Sequence, residues 1–146
     1  MLYEDINVQA GDAVRFWYRD VLAVVQDILS DPLVAKDMIW APTKLYDQDG
    51  NRVFAELCTG NWWCAMQESI DAQEPSDGSK TIIPLILSSD KIVYGRFSGT
   101  QKGWPLYLTV GNIPKAKRWL PSKTHSRLVA LMPETDGELL FNIPNK

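Results

Sequence analysis

The chain has 146 residues, 45% of them apolar and 23% charged, with a formal net charge of −3; this is the composition of one globular domain with a real core, and it excludes a disordered or fibrous chain. No apolar run approaches the roughly 20 residues that span a bilayer, and the N-terminal MLYEDINVQAGD has acids where a signal peptide would have a basic and then an apolar region. These features predict a soluble intracellular protein with no membrane partner.

The first expected element is a helix over residues 12 to 30. Asp12 is a plausible N-cap, Val14, Trp17, Val21, Val25 and Ile28 recur at helical spacing, and Asp31-Pro32 ends the run. Residues 38 to 46 and 51 to 58 read as two strands joined at Asp47-Gln48-Asp49-Gly50, whose Asp and Gly residues suit a hairpin turn. Asn61 is placed to cap a short helix through Ile70 with Trp62, Trp63 and Met66 as its apolar face. The polar DAQEPSDGSK (71 to 80) is the best internal boundary, a loop or linker between an N-terminal helix and hairpin region (1 to 70) and a second region (81 to 146). There the pattern turns to strands at 82 to 87, 104 to 110 and 127 to 132, with 139 to 143 a further candidate. Pro84 has no N–H for a ladder, so full pairing of the first of these is expected only over 85 to 89.

The net charge conceals a segregation. Residues 1 to 90 hold 6 basic and 15 acidic side chains, whereas residues 91 to 127 hold 8 basic ones and no acid. Lysine and arginine neutralise phosphates and release counterions, so the basic stretch suits a nucleic-acid backbone; a solvated basic hairpin face has the same pattern. Cys58 and Cys64 are too few for a disulfide framework and, with His125 far away, match no zinc spacing; they read as small apolar fillers in a reducing compartment, and His125 as a loop or strand-edge histidine. No serine has a nucleophile-elbow surround and no glycine pattern matches a phosphate-binding loop or a dinucleotide fingerprint.

The stretch from 89 to 115, SDKIVYGRFSGTQKGWPLYLTVGNIPK, holds an acid at the end of an apolar strand, followed by a loop and a second apolar strand. An aspartate at a rigid strand end is a candidate metal ligand, and aspartates in that place also commonly make turns. The wording resembles the start of the catalytic region in fungal Plavaka-type transposases, relatives of the CACTA group. An SDK step (Ser89, Asp90, Lys91), an F-S-G step (Phe97, Ser98, Gly99), a W-P pair (Trp104, Pro105) and a YLT-x-GNI step (Tyr107 to Ile113) follow in order. RFWYRDVLAVVQDIL, APTKLYDQDGNRVFAEL and TGNWWCAMQESI resemble the segments that precede that core.

What the resemblance implies is an α+β fold in which the N-terminal helix and β-hairpin are followed by the antiparallel three-stranded opening of an RNase H-like core, truncated. Asp90 would be the first catalytic acid and a Mg²⁺ ligand, since hard carboxylate oxygens suit that ion and a pair of such ions activates the attacking oxygen and stabilises the leaving one. The implied partner is DNA at transposon ends and the implied location is the nucleus; the acid-free run from 91 to 127 makes Lys102, Lys115, Lys117 and Arg118 the expected phosphate contacts. Departures from the family pattern are Ile92-Val93-Tyr94-Gly95 where small polar residues are usual, Thr100 where an acid is usual, and Arg118-Trp119 where a pair of arginines is usual. The family's next acidic step is missing, and Asp136-Gly137 lies too close to the third strand to replace it. The expectation is therefore a transposase fragment inactive alone, with Mg²⁺ binding weak or absent; the alternative is a non-enzymatic module that binds nucleic acid or protein. An unpaired edge on residues 85 to 89 would favour self-association.

Overall fold

The computed structural model describes residues 1–7, 13–73, 80–93, 102–118 and 125–132. It opens with a hairpin. Strand β1 (Leu2–Asn7) pairs antiparallel with β2 (Ala13–Tyr18), with Tyr3 opposite Trp17 and Asp5 opposite Arg15. One face carries the Tyr3–Trp17 ring pair, 5.1 Å between centroids, with the Arg15 guanidinium 4.6 Å from the Tyr3 ring. Arg15 also donates to Asp5 at 3.0 Å and holds that carboxyl below the usual range. Phe16 and Tyr18 stack on the other face.

This corrects the expected helix over 12 to 30. Its first half is strand, and helix α1 runs only over Val21–Ser30, where Asp20 caps it by accepting from the Ala23 amide at 3.0 Å. Asp12 lies outside the described residues. Trp17 fits a 3.6-residue stripe with Val21 and Ile28, but AVRFWY also alternates and is rich in aromatic and β-branched residues. Cross-strand partners supplied by LYEDIN decide for the strand.

After α1 come a short helix α2 (Pro32–Ala35), capped by Asp31, and a small hairpin of β3 (Leu45–Tyr46) and β4 (Arg52–Val53). The expected turn is there, with Gly50 at φ 82° and the Asp47 carboxylate accepting from the Asn51 amide at 2.7 Å. The strands are far shorter than 38 to 46 and 51 to 58. A 3-10 turn (Leu57–Thr59) leads into helix α3 (Asn61–Gln73), whose inner side is Trp63 and Cys64 rather than the expected Trp62, Trp63 and Met66. The strands that follow are β5 (Leu85–Ser89), β6 (Ile92–Val93), β7 (Lys102–Val110) and, after the one-turn helix α4 (Lys115–Arg118), β8 (Arg127–Met132). The start of β5 at Leu85 matches the limit that Pro84 was expected to set. The candidate strand 139 to 143 lies outside the described residues.

The chain divides into two units. The first comprises the described residues within Met1–Val24, Leu87–Tyr107 and Leu128–Lys146. The main sheet has the order β1-β2-β8-β7-β5, with β6 also pairing β7. Thus β5, β7 and β8 lie side by side in chain order, and the N-terminal hairpin extends the sheet beyond β8 through Trp17 opposite Leu131. The architecture is α+β with an antiparallel sheet and few helices.

The second unit comprises the described residues within Val25–Ile86 and Leu108–Arg127. Its centre is the turn after β7. Asn112, fully buried, donates from Nδ2 to the carbonyls of Ile39 (2.9 Å) and Ile82 (3.2 Å), and its own carbonyl accepts from the Ile39 amide at 2.8 Å. Gly111 lets the chain come close: its amide donates to the Pro84 carbonyl at 2.7 Å, and a Cβ there would lie 2.3 Å from Leu57 Cδ2 and 3.0 Å from Pro84 Cβ. Leu57 can swing aside, but the proline ring cannot. Gly111→Ala is therefore expected to cost about 1–3 kcal/mol by overpacking, read as a lower midpoint in urea unfolding. A cost below a few tenths of a kcal/mol would show that the Pro84 segment yields freely.

Candidate nucleic-acid interface

In the first unit, the candidate acid sits at a break in a ladder. Strand β6 pairs with β7 in a register that sets Ile92 opposite Gly103, and continuing it two residues back puts Asp90 opposite Pro105. Pro105 has no N–H, so the ladder cannot close there. This accounts for the interruption at Asp90 and Lys91 between β5 and β6. The Ser89 hydroxyl donates to the Pro105 carbonyl at 3.0 Å and steadies the break. Asp90 is exposed, and the Lys91 ammonium lies 4.8 Å from the centre of the Trp104 ring. The W-P pair thus shapes the site: tryptophan holds the neighbouring cation and proline opens the ladder beside the carboxylate.

A metal centre needs more than this. Among the described residues no three His, Cys, Asp or Glu side chains converge in a way that could hold a metal ion. A single carboxylate does not fit a two-ion clamp.

The four basic candidates are divided between the units. Lys102 opens β7 opposite Val93 in the first, whereas Lys115, Lys117 and Arg118 form α4 in the second. Lys115 is exposed, and its amide donates to Glu56 Oε1 at 2.8 Å. Lys117 pairs with Asp37 at 3.0 Å. Arg118 turns inward and donates from Nη1 to the carbonyls of Gly111 (3.2 Å) and Ile113 (2.6 Å), so that its guanidinium ties down the GNI turn. Arg127 is gripped by Asp27 (2.9 Å) and Asp31 (3.3 Å). The run from 91 to 127 is free of acid in sequence but not in space. These acidic partners come from residues 59 to 100 positions away, and local sequence carries no signal for them.

The two cysteines are buried and free, as fillers should be. Burial, helped by Glu56, raises the Cys58 thiol above its ordinary value, which makes it a poor nucleophile. His125 is buried just ahead of β8, where its carbonyl accepts from the Thr109 hydroxyl at 2.9 Å. No helix among the described residues is long and apolar enough to cross a membrane.

No curated protein and no solved structure matches the chain. The family model described as Plavaka transposase matches residues 4–139. That span covers most of the chain and takes in the β3–β4 hairpin, the ladder break at Asp90 and the Gly111–Ile113 turn, so this chain belongs to the Plavaka transposase family.

Proposed function

We propose that this chain contributes the opening part of the catalytic region of a cut-and-paste DNA transposase, acts on DNA in the nucleus, and is inactive without further carboxylates. The observation that carries the reading is the family match over residues 4–139, which includes an exposed aspartate beside a proline-made gap in the sheet. The chain order β5-β7-β8 supports an RNase H-like opening, in which Asp90 supplies one oxygen ligand to a Mg²⁺ centre and its partners lie outside the described residues. Phosphate contact falls first to Lys102 and Lys115. Lys117 and Arg118 are engaged with Asp37 and with two backbone carbonyls, so their part in DNA binding competes with a part in the fold.

The test is salt-dependent binding of duplex DNA by residues 1–146. Weak, sequence-tolerant binding is expected, with affinity falling steeply as salt rises, and the double variant Lys102→Glu with Lys115→Glu should reduce the slope of log affinity against log salt by about 2. An unchanged slope would remove both lysines from the interface. Undetectable binding at low salt would sink the DNA reading for these residues. The exposed Trp40 and Trp62 favour a second reading, a non-enzymatic interaction module. Unchanged DNA affinity in the double variant, together with a loss on Trp62→Ala, would favour it.

A further inference from the structure

The β3–β4 hairpin of the second unit carries a cation between two aromatic rings. Tyr46 lies opposite Arg52 in the ladder and Phe54 follows two residues on, so all three share one face. The Arg52 guanidinium lies 5.5 Å from the centre of the Tyr46 ring and 5.3 Å from that of Phe54. It is fixed there: Nη1 donates to the Leu45 carbonyl and Nη2 to the Thr59 carbonyl, both at 3.2 Å. These bonds leave other guanidinium N–H groups for a ligand. The rings are not core, for Tyr46 is 59% and Phe54 58% exposed. Nor is the charge cancelled. Arg15, Lys44, Lys117 and Arg127 are each paired with a carboxylate, whereas no carboxylate among the described residues pairs with Arg52. The Asp47 carboxylate of the turn is taken up by its own loop, accepting from the amides of Asp49 (3.0 Å) and Asn51 (2.7 Å).

We propose that this face is a stacking platform for single-stranded DNA, with Arg52 on a phosphate and the Tyr46 and Phe54 rings on the bases to either side of it. The two partners match in order as well as in charge: a phosphodiester carries one negative charge between two flat bases, and the hairpin carries one positive charge between two flat rings. Stacking needs a base whose face is open, and a duplex keeps its bases stacked on one another. The platform is therefore selective for unpaired DNA and tolerant of its sequence, because every base has a π-face. Such a role rests on the reading that the chain acts on DNA, and it adds to the duplex backbone contacts of Lys102 and Lys115 a contact of another kind. An acidic protein segment is the competing occupant, and it would leave DNA affinity independent of the rings.

Fluorescence anisotropy of a labelled oligothymidine of about 12 nucleotides, against a duplex of equal length, tests it. The oligothymidine should bind at low salt, and Tyr46→Leu and Phe54→Leu should each weaken it by about 5- to 100-fold. Tyr46→Phe should bind like the unchanged protein, since stacking uses the ring and not the hydroxyl. Leucine keeps apolar area without the flat ring, and both positions are exposed, so these variants should keep their unfolding midpoint. Arg52→Met should lower the slope of log affinity against log salt by about 0.7, the loss of one single-strand phosphate contact. Should that variant fail to fold, the two leucine variants still decide. Duplex affinity should be unchanged throughout. Unchanged oligothymidine affinity in both leucine variants, with duplex binding retained, would overturn the platform and leave the DNA reading standing. Undetectable duplex binding beside ring-dependent oligothymidine binding would sink the duplex contacts and support the platform. Equal losses on duplex and oligothymidine would overturn the selectivity for unpaired DNA, and no binding of either would overturn both readings.

Discussion

Asn112→Ala is expected to lower the stability of the protein by about 2–4 kcal/mol, since it removes a buried donor shared by two part-buried carbonyls and leaves a void. The Nδ2 group serves Ile39 and Ile82, segments far from each other in sequence, while the Asn112 carbonyl serves the Ile39 amide. Truncation leaves that backbone bond but orphans both carbonyls. Asn112→Asp separates hydrogen bonding from size. A carboxylate in that place would face two carbonyl oxygens without a donor, so its pKa in the folded protein should rise above about 3.9, the unfolded value. A raised folded-state pKa means that the folded protein binds the extra proton more tightly. Stability relative to the Ala variant is then lost as pH rises above the unfolded value and recovered as pH falls towards it. Denaturant unfolding at pH 7 and near pH 4 checks this, and equal stability of Asn112→Asp at the two pH values relative to Ala would refute the bonding account.

Trp63→Ala should cost about 3–5 kcal/mol, the range for deleting a large aromatic from a core. Trp63 is wholly buried, whereas its neighbour Trp62 is 55% exposed. Trp62→Ala should therefore stay within about 1 kcal/mol of the unchanged protein. Trp63→Phe should fall between them. It loses volume, but it also removes an indole N–H with no acceptor among the described residues, whose burial is itself unfavourable. Thermal unfolding monitored by tryptophan fluorescence gives both the ranking and the environment of each ring. Equal losses at positions 62 and 63 would show that α3 does not bury one side of the pair as described.

The GNI step is a part of the fold as well as of the family pattern. Gly111, Asn112 and Ile113 read in sequence as a signature, and in three dimensions they are packing: a close approach to Pro84, a polar tie between two segments, and a side chain 1% exposed. The SDK and W-P steps have another character. They set an exposed carboxylate at a gap in the ladder and a cation over an indole ring. One part of the signature holds the fold, and the other shapes a surface open to chemistry.

Several features were determined by the sequence alone because their causes are local. The proline limit on β5, the strands 104 to 110 and 127 to 132, the Asp47–Gly50 turn and the helix from Asn61 depend on backbone chemistry and short-range periodicity, and they lie where those rules put them. Other features were decided only by the tertiary structure. AVRFWY satisfied both a helical and a strand period, and the pairing with LYEDIN resolved it. NWW offered two tryptophans to one core, and the packing of α3 chose Trp63. The basic run looked free for phosphate until Asp27, Asp31 and Asp37 came to meet it from segments distant in sequence. Register, choice of buried face and charge pairing all depend on partners distant in the chain, and a local pattern holds no record of which partner will arrive.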